Sequence, residues 1–97
     1  MYVNLALLKI QERERKKQEK TDLKQMQLET EIDKQNKIIK HYNEQKVYFQ
    51  QNLAFQKNPK RILTNKEYLF RIQTKIDDAK RKKYIAEIQL EQITADN

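Results

Sequence analysis

The absence of glycine restricts the fold of this chain more than any other feature: its 97 residues contain none, and Pro59 is the only proline. Glycine is the residue that takes positive φ most readily, in tight turns and at helix C-termini. A chain without glycine can build few turns, and therefore few elements, each of them long. Lys, Glu, Gln, Leu, Ile and Arg dominate, and most of these are good helix formers. The composition therefore predicts an all-α protein.

The balance of charged and apolar residues limits how thick a core this chain can bury. Charged residues make up 36% and hydrophobic residues 37% of the sequence. This is too polar for a thick globular core, but it suits long helices that each bury one narrow stripe. Such a composition is also typical of disordered chains. The apolar periodicity of residues 28–93 argues against disorder in that range.

Two stretches carry apolar residues at alternating spacings of three and four, which is the signature of a coiled-coil seam. The first seam comprises Leu28, Ile32, Gln35, Ile39, Tyr42, Lys46, Phe49 and Leu53. The second comprises Leu69, Ile72, Ile76, Ala79, Lys83, Ala86, Leu90 and Ile93. In an antiparallel hairpin, the residue numbers of facing positions have a constant sum. Pairing Leu53 with Leu69 and Leu28 with Ile93 gives sums of 122 and 121. The pattern predicts a two-helix antiparallel coiled-coil hairpin.

The position of the turn is indicated by Pro59 and by a capping signal that follows it. Proline disfavours the helical conformation in the residue before it. The segment from Thr64 to Glu67 has the spacing of a capping box, in which the Thr64 hydroxyl would cap the second helix. We therefore predict a hairpin over residues 28–94 with its turn at residues 57–64.

Residues 1–27 have no partner within the predicted hairpin, so we expect them to form a helical overhang at the N-terminus. The Met1–Ile10 segment is rich in apolar side chains, whereas no apolar residue lies between Ile10 and Leu23. The apolar tip has two interpretations at this stage. It is either a frayed end or self-association contact, or a docking element that enters a partner.

Few types of active site are compatible with this sequence. It has no cysteine, and His41 is its only histidine. A phosphate-binding glycine loop is excluded, and nothing indicates a concave pocket in which paired carboxylates could act as acid and base. We expect a protein that is not an enzyme and that binds no metal or cofactor, with His41 on the solvated surface.

The sequence shows neither a membrane segment nor a targeting segment. The longest purely apolar run is Leu5–Leu8, far shorter than the roughly 20 residues that span a bilayer. The N-terminus lacks the basic region and the cleavage site of a signal peptide. We expect a cytoplasmic chain without membrane insertion.

The net charge of +7 favours acidic partners. Basic clusters occur near Arg13, around the turn and at Lys80–Lys83, but acidic residues interrupt most of them, so nucleic acid is disfavoured as a partner.

Aromatic side chains gather near the turn. They either close the end of the hairpin or form a second contact surface.

The order of these segments resembles a known family. The run Leu7–Lys17, the polar first helix, the turn with its proline and the segment Leu63–Tyr68 together look like the FliJ/YscO-like central stalk proteins of type III secretion. The resemblance implies a stalk inserted in the pore of a hexameric export ATPase, similar to the γ subunit of rotary ATPases. The end that holds both termini would be the inserted one. The second helix is shorter here than is usual in that family.

We therefore expect a non-catalytic stalk or adaptor that binds a protein partner through its overhang, with self-association left open. The predicted contact residues are Leu5, Leu7, Leu8 and Ile10 of the tip, and Arg13, Arg15, Lys16 and Lys17, which the resemblance places against the pore. The alternatives are a structural component of a cytoskeletal or ciliary assembly and a small nucleic-acid-associated regulator.

Overall fold

The computed structural model describes the backbone of residues 2–95 and the side chains of residues 6–95. It contains two helices, α1 (Tyr2–Phe55) and α2 (Pro59–Ala95). They pack antiparallel along α2, and the molecule measures 86 × 15 × 15 Å. The rise of about 1.5 Å per residue means that the 54 residues of α1 account for nearly all of this length. The prediction of an all-α antiparallel hairpin is confirmed.

Each helix buries the seam that the heptad spacing predicts. All sixteen predicted seam residues are buried or half-buried. The most buried side chains belong to the middle of the hairpin and are Gln35, Ile72, Ile76, Ala79 and Ala86. The two alanines allow the helices to approach closely, since their short side chains leave room for larger residues of α1. The core is therefore one side chain thick, as the low apolar content requires.

Gln35 is the one buried polar side chain among the described residues, with 3% of its surface exposed. Its Nε2 donates a hydrogen bond to Glu31 Oε1, one turn earlier, at 2.7 Å. A buried polar group without a partner would destabilise the fold. Among residues 6–95, no buried side-chain nitrogen or oxygen lacks a hydrogen-bond partner.

The turn is shorter than predicted, so the predicted extent of residues 57–64 is wrong. The α1 helix ends at Phe55 and α2 begins at Pro59. Asn58 is the N-cap, because its Oδ1 accepts a hydrogen bond from the backbone N–H of Lys60 at 3.0 Å. Pro59 takes the first helical position, where a missing N–H costs nothing and φ is already suitable. Proline thus starts α2 rather than lying within a longer turn.

Thr64 does not cap a helix, contrary to the capping-box prediction. Its hydroxyl donates to the backbone oxygen of Lys60 at 3.0 Å, one turn earlier within α2. No residue of the described backbone has a positive φ. This explains how a chain without glycine closes a three-residue turn.

The shorter turn also changes which residues face each other. Phe49 stacks on Tyr68 with ring centroids 5.5 Å apart, and the Nζ of Lys75 lies 5.3 Å from the centroid of the Tyr42 ring. The residue numbers of both pairs sum to 117, and those of Lys46 and Gln73, which share a hydrogen bond, sum to 119. The predicted register required 121 or 122. The helices are therefore offset by about one turn from the predicted pairing. The same faces still meet, because a shift of one turn returns each helix to the same face.

Candidate functional site

The N-terminal part of α1 extends beyond the end of α2 as a single exposed helix. Every side chain from Ala6 to Lys20 is exposed, and the first half-buried ones are Thr21 and Gln25. We define the overhang as residues 2–20, which is shorter than the predicted 1–27. The one-turn offset accounts for about four residues of the difference, since it moves the end of α2 toward the N-terminus of α1. The helix α2 also extends past the last predicted seam residue, Ile93, to Ala95. Its helical length is about 28 Å at ~1.5 Å per residue.

The tip of the overhang exposes the apolar residues that the sequence singles out. Leu7, Leu8 and Ile10 expose 52%, 58% and 52% of their surfaces. The side chain of Leu5, also predicted to bind a partner, lies outside the described side chains. Three large apolar side chains within four residues form an exposed cluster of the kind that marks a contact site. Nothing in the described part of this chain covers it.

Most cations of the overhang and of the adjoining turn of α1 lie on one face of the helix. At about 100° per residue, six cations fall within one arc of about 100°: Lys9, Arg13, Lys16, Lys17, Lys20 and Lys24. We call these six residues the basic face. All six are exposed, and none takes part in the ion pairs found among the described side chains. This face runs for about 23 Å along the helix.

The carboxylates of this part of α1 lie outside the basic face. They belong to Glu12, Glu14, Glu19 and Asp22, all exposed, and Glu12 and Glu14 flank the face on its two sides. Arg15 also lies outside the basic face, and its Nε is 3.8 Å from Glu19 Oε1. Of the four predicted basic contact residues, the structure thus places Arg13, Lys16 and Lys17 on the basic face and Arg15 outside it.

Sequence reasoning missed Lys9, Lys20 and Lys24 as members of the basic face. The signal was present, because these residues follow the helical spacing of three and four that relates Arg13 to Lys16 and Lys17. Along the sequence, intervening glutamates obscure the pattern. On a continuous α-helix those glutamates fall outside the arc of the basic face.

A second exposed surface lies near the turn, where aromatic rings line a shallow groove between the helices. Tyr42 and Phe49 of α1 and Tyr68 and Phe70 of α2 contribute the rings, and Phe70 is 75% exposed. Arg71 and Lys75 also line the groove. Of the two interpretations made from the sequence, the stacking supports closure of the hairpin end, and the second contact surface stays a prediction. Phe49 and Tyr68 close the seam by stacking, and Phe70 remains largely exposed.

The histidine and the acidic side chains of the described residues form no cluster that could hold a metal ion. His41 is exposed, and its Nε2 lies 3.1 Å from Gln45 Nε2. Within the searched part of the chain, no three His, Cys, Asp or Glu side chains are grouped so that they could hold a metal ion.

Neither α1 nor α2, over their described lengths, has an apolar stretch suitable for crossing a membrane.

One carboxylate has a clearly shifted pKa. The side chain of Asp78 accepts hydrogen bonds from Lys82 and Arg81, one turn further along α2, and these lower its pKa below the usual 3.8. Asp78 lies on the surface of the hairpin with its cations beside it. A low pKa keeps a carboxylate ionised, which is the opposite of what a general acid needs.

Comparison with known proteins gives no relative. The sequence matches no protein-family model, and neither curated proteins nor solved structures show a significant match.

Proposed function

We propose that this chain is a non-catalytic adaptor or stalk that docks into a protein partner through its overhang. The observation that supports the proposal is the overhang itself, a helix with an exposed apolar tip and one uninterrupted basic face. An isolated polar helix of this length is only marginally stable in water. A partner that covers the tip and neutralises the basic face would stabilise it by binding.

The chemistry of the two surfaces supports a partner with two complementary features. The tip requires an apolar pocket on the partner that accepts Leu7, Leu8 and Ile10. The basic face requires an acidic surface about 23 Å long next to that pocket. The pore of a hexameric export ATPase is the specific partner that we propose, on the basis of the resemblance to FliJ/YscO-like stalk proteins. The elongated hairpin, 15 Å across, has the shape that such a stalk needs.

The first experiment is a pull-down with the full-length chain from native extract at physiological salt, with the bound proteins identified by mass spectrometry. A triple variant, Leu7→Ser, Leu8→Ser and Ile10→Ser, should lose the partner. Its control replaces Leu23, Met26 and Val47 with Ser, because these side chains expose between 52% and 63% of their surfaces and lie outside the overhang. A partner that both triple variants retain equally would overturn the docking proposal.

The basic face is tested by charge reversal in the same assay. Arg13→Glu, Lys16→Glu and Lys20→Glu together should weaken partner binding strongly. The matched control reverses Lys34, Lys37 and Lys40, which are exposed cations of α1 within the hairpin. Stimulation of ATP hydrolysis by the captured partner would support the export-ATPase version. Capture of cytoskeletal or ciliary proteins would replace it with the structural alternative.

The basic face also favours a second candidate, a nucleic-acid-associated regulator. Six cations along one face of a helix could contact phosphates. Binding to a short duplex should then weaken as salt rises, and the logarithm of the affinity should fall linearly with the logarithm of the salt concentration. An affinity that the Arg13, Lys16 and Lys20 reversal leaves unchanged would count against this candidate.

A further inference from the structure

The end of the rod that holds the turn carries the most exposed large apolar side chain of the described residues. Phe55, the last residue of α1, exposes 85% of its surface, and Leu63, in the second turn of α2, exposes 61%. Neither belongs to the two seams. The structure therefore places two apolar side chains in contact with solvent at one extremity of an 86 Å molecule.

Four exposed cations lie beside these two side chains. They are Lys57 in the turn and Lys60, Arg61 and Lys66 in the first two turns of α2. Lys60 and Arg61 line one shallow recess together with Phe55. None of the four cations takes part in an ion pair found among the described side chains. We call these four cations and the two apolar side chains the turn end of the hairpin.

The lack of carboxylates distinguishes the turn end from the rest of the chain. Residues 45–66 form the longest stretch without Asp or Glu, and Glu44 and Glu67 bound it. At ~1.5 Å per residue, Glu67 lies about 12 Å along α2 from Pro59, and Glu44 lies about 16 Å along α1 from Phe55. Both distances exceed the Debye length of about 8 Å at physiological ionic strength. Salt therefore screens these two carboxylates from the extremity, and the cations set the potential there.

The opposite extremity of the molecule differs in this respect. The overhang also combines apolar and basic side chains, but Glu12 and Glu14 flank its basic face. Mixed signs suit one particular partner, because each charge then needs a complement at a fixed position. The uniformly basic turn end needs only a surface of negative charge.

The size of the turn end argues against a folded protein as its partner. The hairpin is 15 Å across in both directions, so its end presents on the order of 200 Å², whereas a stable protein interface covers about 800 Å² on each partner. A lipid surface imposes no such requirement, since each Lys or Arg near it strengthens binding separately.

We propose that the turn end of the hairpin binds the surface of an anionic lipid bilayer. Phe55 and Leu63 would enter the boundary between headgroups and acyl chains, at a depth of about 5–10 Å. The four cations would then lie among the phosphate groups. The last ~12 Å of the hairpin, which holds no carboxylate, is long enough for this depth. Such binding would direct the overhang away from the bilayer, and it does not depend on whether the overhang binds the proposed partner.

The test is co-sedimentation of the full-length chain with vesicles of phosphatidylcholine, with or without about 30% phosphatidylserine. Each cation near an anionic surface strengthens binding about fivefold, so the four together should favour the anionic vesicles by roughly several hundredfold. Raising the salt concentration from about 0.1 to 0.5 M should release the chain. Equal binding to both kinds of vesicle, or binding to neither, would overturn the proposal.

Charge removal locates the contact. Lys60→Gln with Arg61→Gln should weaken binding to the anionic vesicles about 25-fold. The matched control, Lys34→Gln with Lys37→Gln, removes the same charge from exposed positions in the middle of α1 and should bind like the original chain. Equal weakening in both double variants would mean that net charge alone drives binding, which contradicts a contact at the turn end.

The apolar contribution is tested in the same way. Phe55→Ser should weaken vesicle binding about tenfold, because the ring no longer leaves water. Phe70→Ser is the control, since Phe70 is 75% exposed but lies about 16 Å along α2 from Pro59. Equal effects of the two substitutions would count against insertion of Phe55. Circular dichroism of each variant checks that the hairpin is still folded.

Two results would assign the binding elsewhere and overturn the proposal. Loss of vesicle binding in the triple serine variant of the tip, with Phe55→Ser unaffected, would place the lipid contact on the overhang. Binding of the turn end to a short single-stranded RNA, without binding to anionic vesicles, would make its ligand a nucleic acid. Loss of that RNA binding in the Lys60 and Arg61 double variant would identify the turn end as the site.

Discussion

Lys46 of α1 donates a hydrogen bond from its Nζ to the Oε1 of Gln73 on α2 at 2.8 Å. It joins the two helices directly through polar side chains, whereas the other described side-chain hydrogen bonds are local. Lys46 occupies a seam position where an apolar residue would be the stabilising choice. A polar residue in a coiled-coil seam generally lowers stability and restricts the register.

Lys46→Leu should therefore raise the stability of the hairpin. The leucine would bury apolar surface in place of a half-buried ammonium group, and we expect a gain of about 1 kcal/mol in the free energy of unfolding. Urea denaturation followed by circular dichroism measures it. Lys40→Leu, on the exposed side of the same helix, is the control and should change little. A loss of stability in Lys46→Leu would show that the hydrogen bond to Gln73 outweighs apolar burial.

Replacement of Ile76 tests the position of the core. Ile76 is 1% exposed, and Ile76→Ala should cost about 2–4 kcal/mol, because it removes a buried methylene and two buried methyl groups and leaves a cavity. Val47→Ala removes two methyl groups from a side chain that is 52% exposed and should cost less than about 0.5 kcal/mol. Equal losses in the two variants would mean that the seam lies elsewhere.

Two side chains near the turn distinguish the observed cap from the predicted one. Asn58→Ala should lower stability by about 1 kcal/mol, since it removes the acceptor for the Lys60 N–H. Asn58→Asp should keep most of that stability. Thr64→Ala should have almost no effect, because its hydroxyl bonds a carbonyl oxygen within the helix. If Thr64→Ala proves the more damaging variant in thermal melting, α2 begins later than Pro59.

The stacking of Phe49 on Tyr68 tests the register of the hairpin. A double-mutant cycle with Phe49→Ala and Tyr68→Ala should give a coupling energy of about 0.5–1.5 kcal/mol, as for other stacked rings. Tyr48, which is 61% exposed, serves as the control partner for Tyr68 in the same cycle. Zero coupling between Phe49 and Tyr68 would contradict the observed offset of about one turn.

The low pKa of Asp78 predicts how its contribution depends on pH. Lys82 and Arg81 stabilise the ionised carboxylate, so the folded pKa is below the usual 3.8. The stabilisation is then complete above the unfolded pKa and is lost as pH falls through the folded value. Asp78→Asn should melt at a lower temperature than the original chain at pH 7 and at the same temperature near pH 2. A difference that persists at acid pH would point to another cause.

The faces of the helices were predictable from sequence, and their register was not. All sixteen predicted seam residues are covered, because a heptad pattern specifies which side of a helix is apolar. The same pattern allows the two helices to shift along each other by one turn. The face of α1 that carries Phe49 can meet α2 at Leu69, Ile72 or Tyr68. The predicted sums could not separate these pairings, and the length of the turn decided between them.

The candidate site was predictable to a similar extent. The apolar tip is evident in the sequence, and the structure leaves Leu7, Leu8 and Ile10 exposed. The basic face required the helix to run without interruption from Lys9 to Lys24, because only then do the intervening glutamates fall outside its arc. Arg15 belongs to the same sequence cluster as Arg13 and lies on the opposite face for the same reason.

By itself, the sequence determined the number of helices, the residues that each helix buries and the presence of an unpaired N-terminal segment. These depend on composition and on local spacing, which act within one helix. The tertiary structure decided where α2 begins, how far it reaches along α1 and which residues pair. Those features depend on the closure of the turn at Asn58, where a side-chain cap and a proline at the first helical position act together. The length of the overhang follows from that closure, and so does the part of the basic face that remains free to bind.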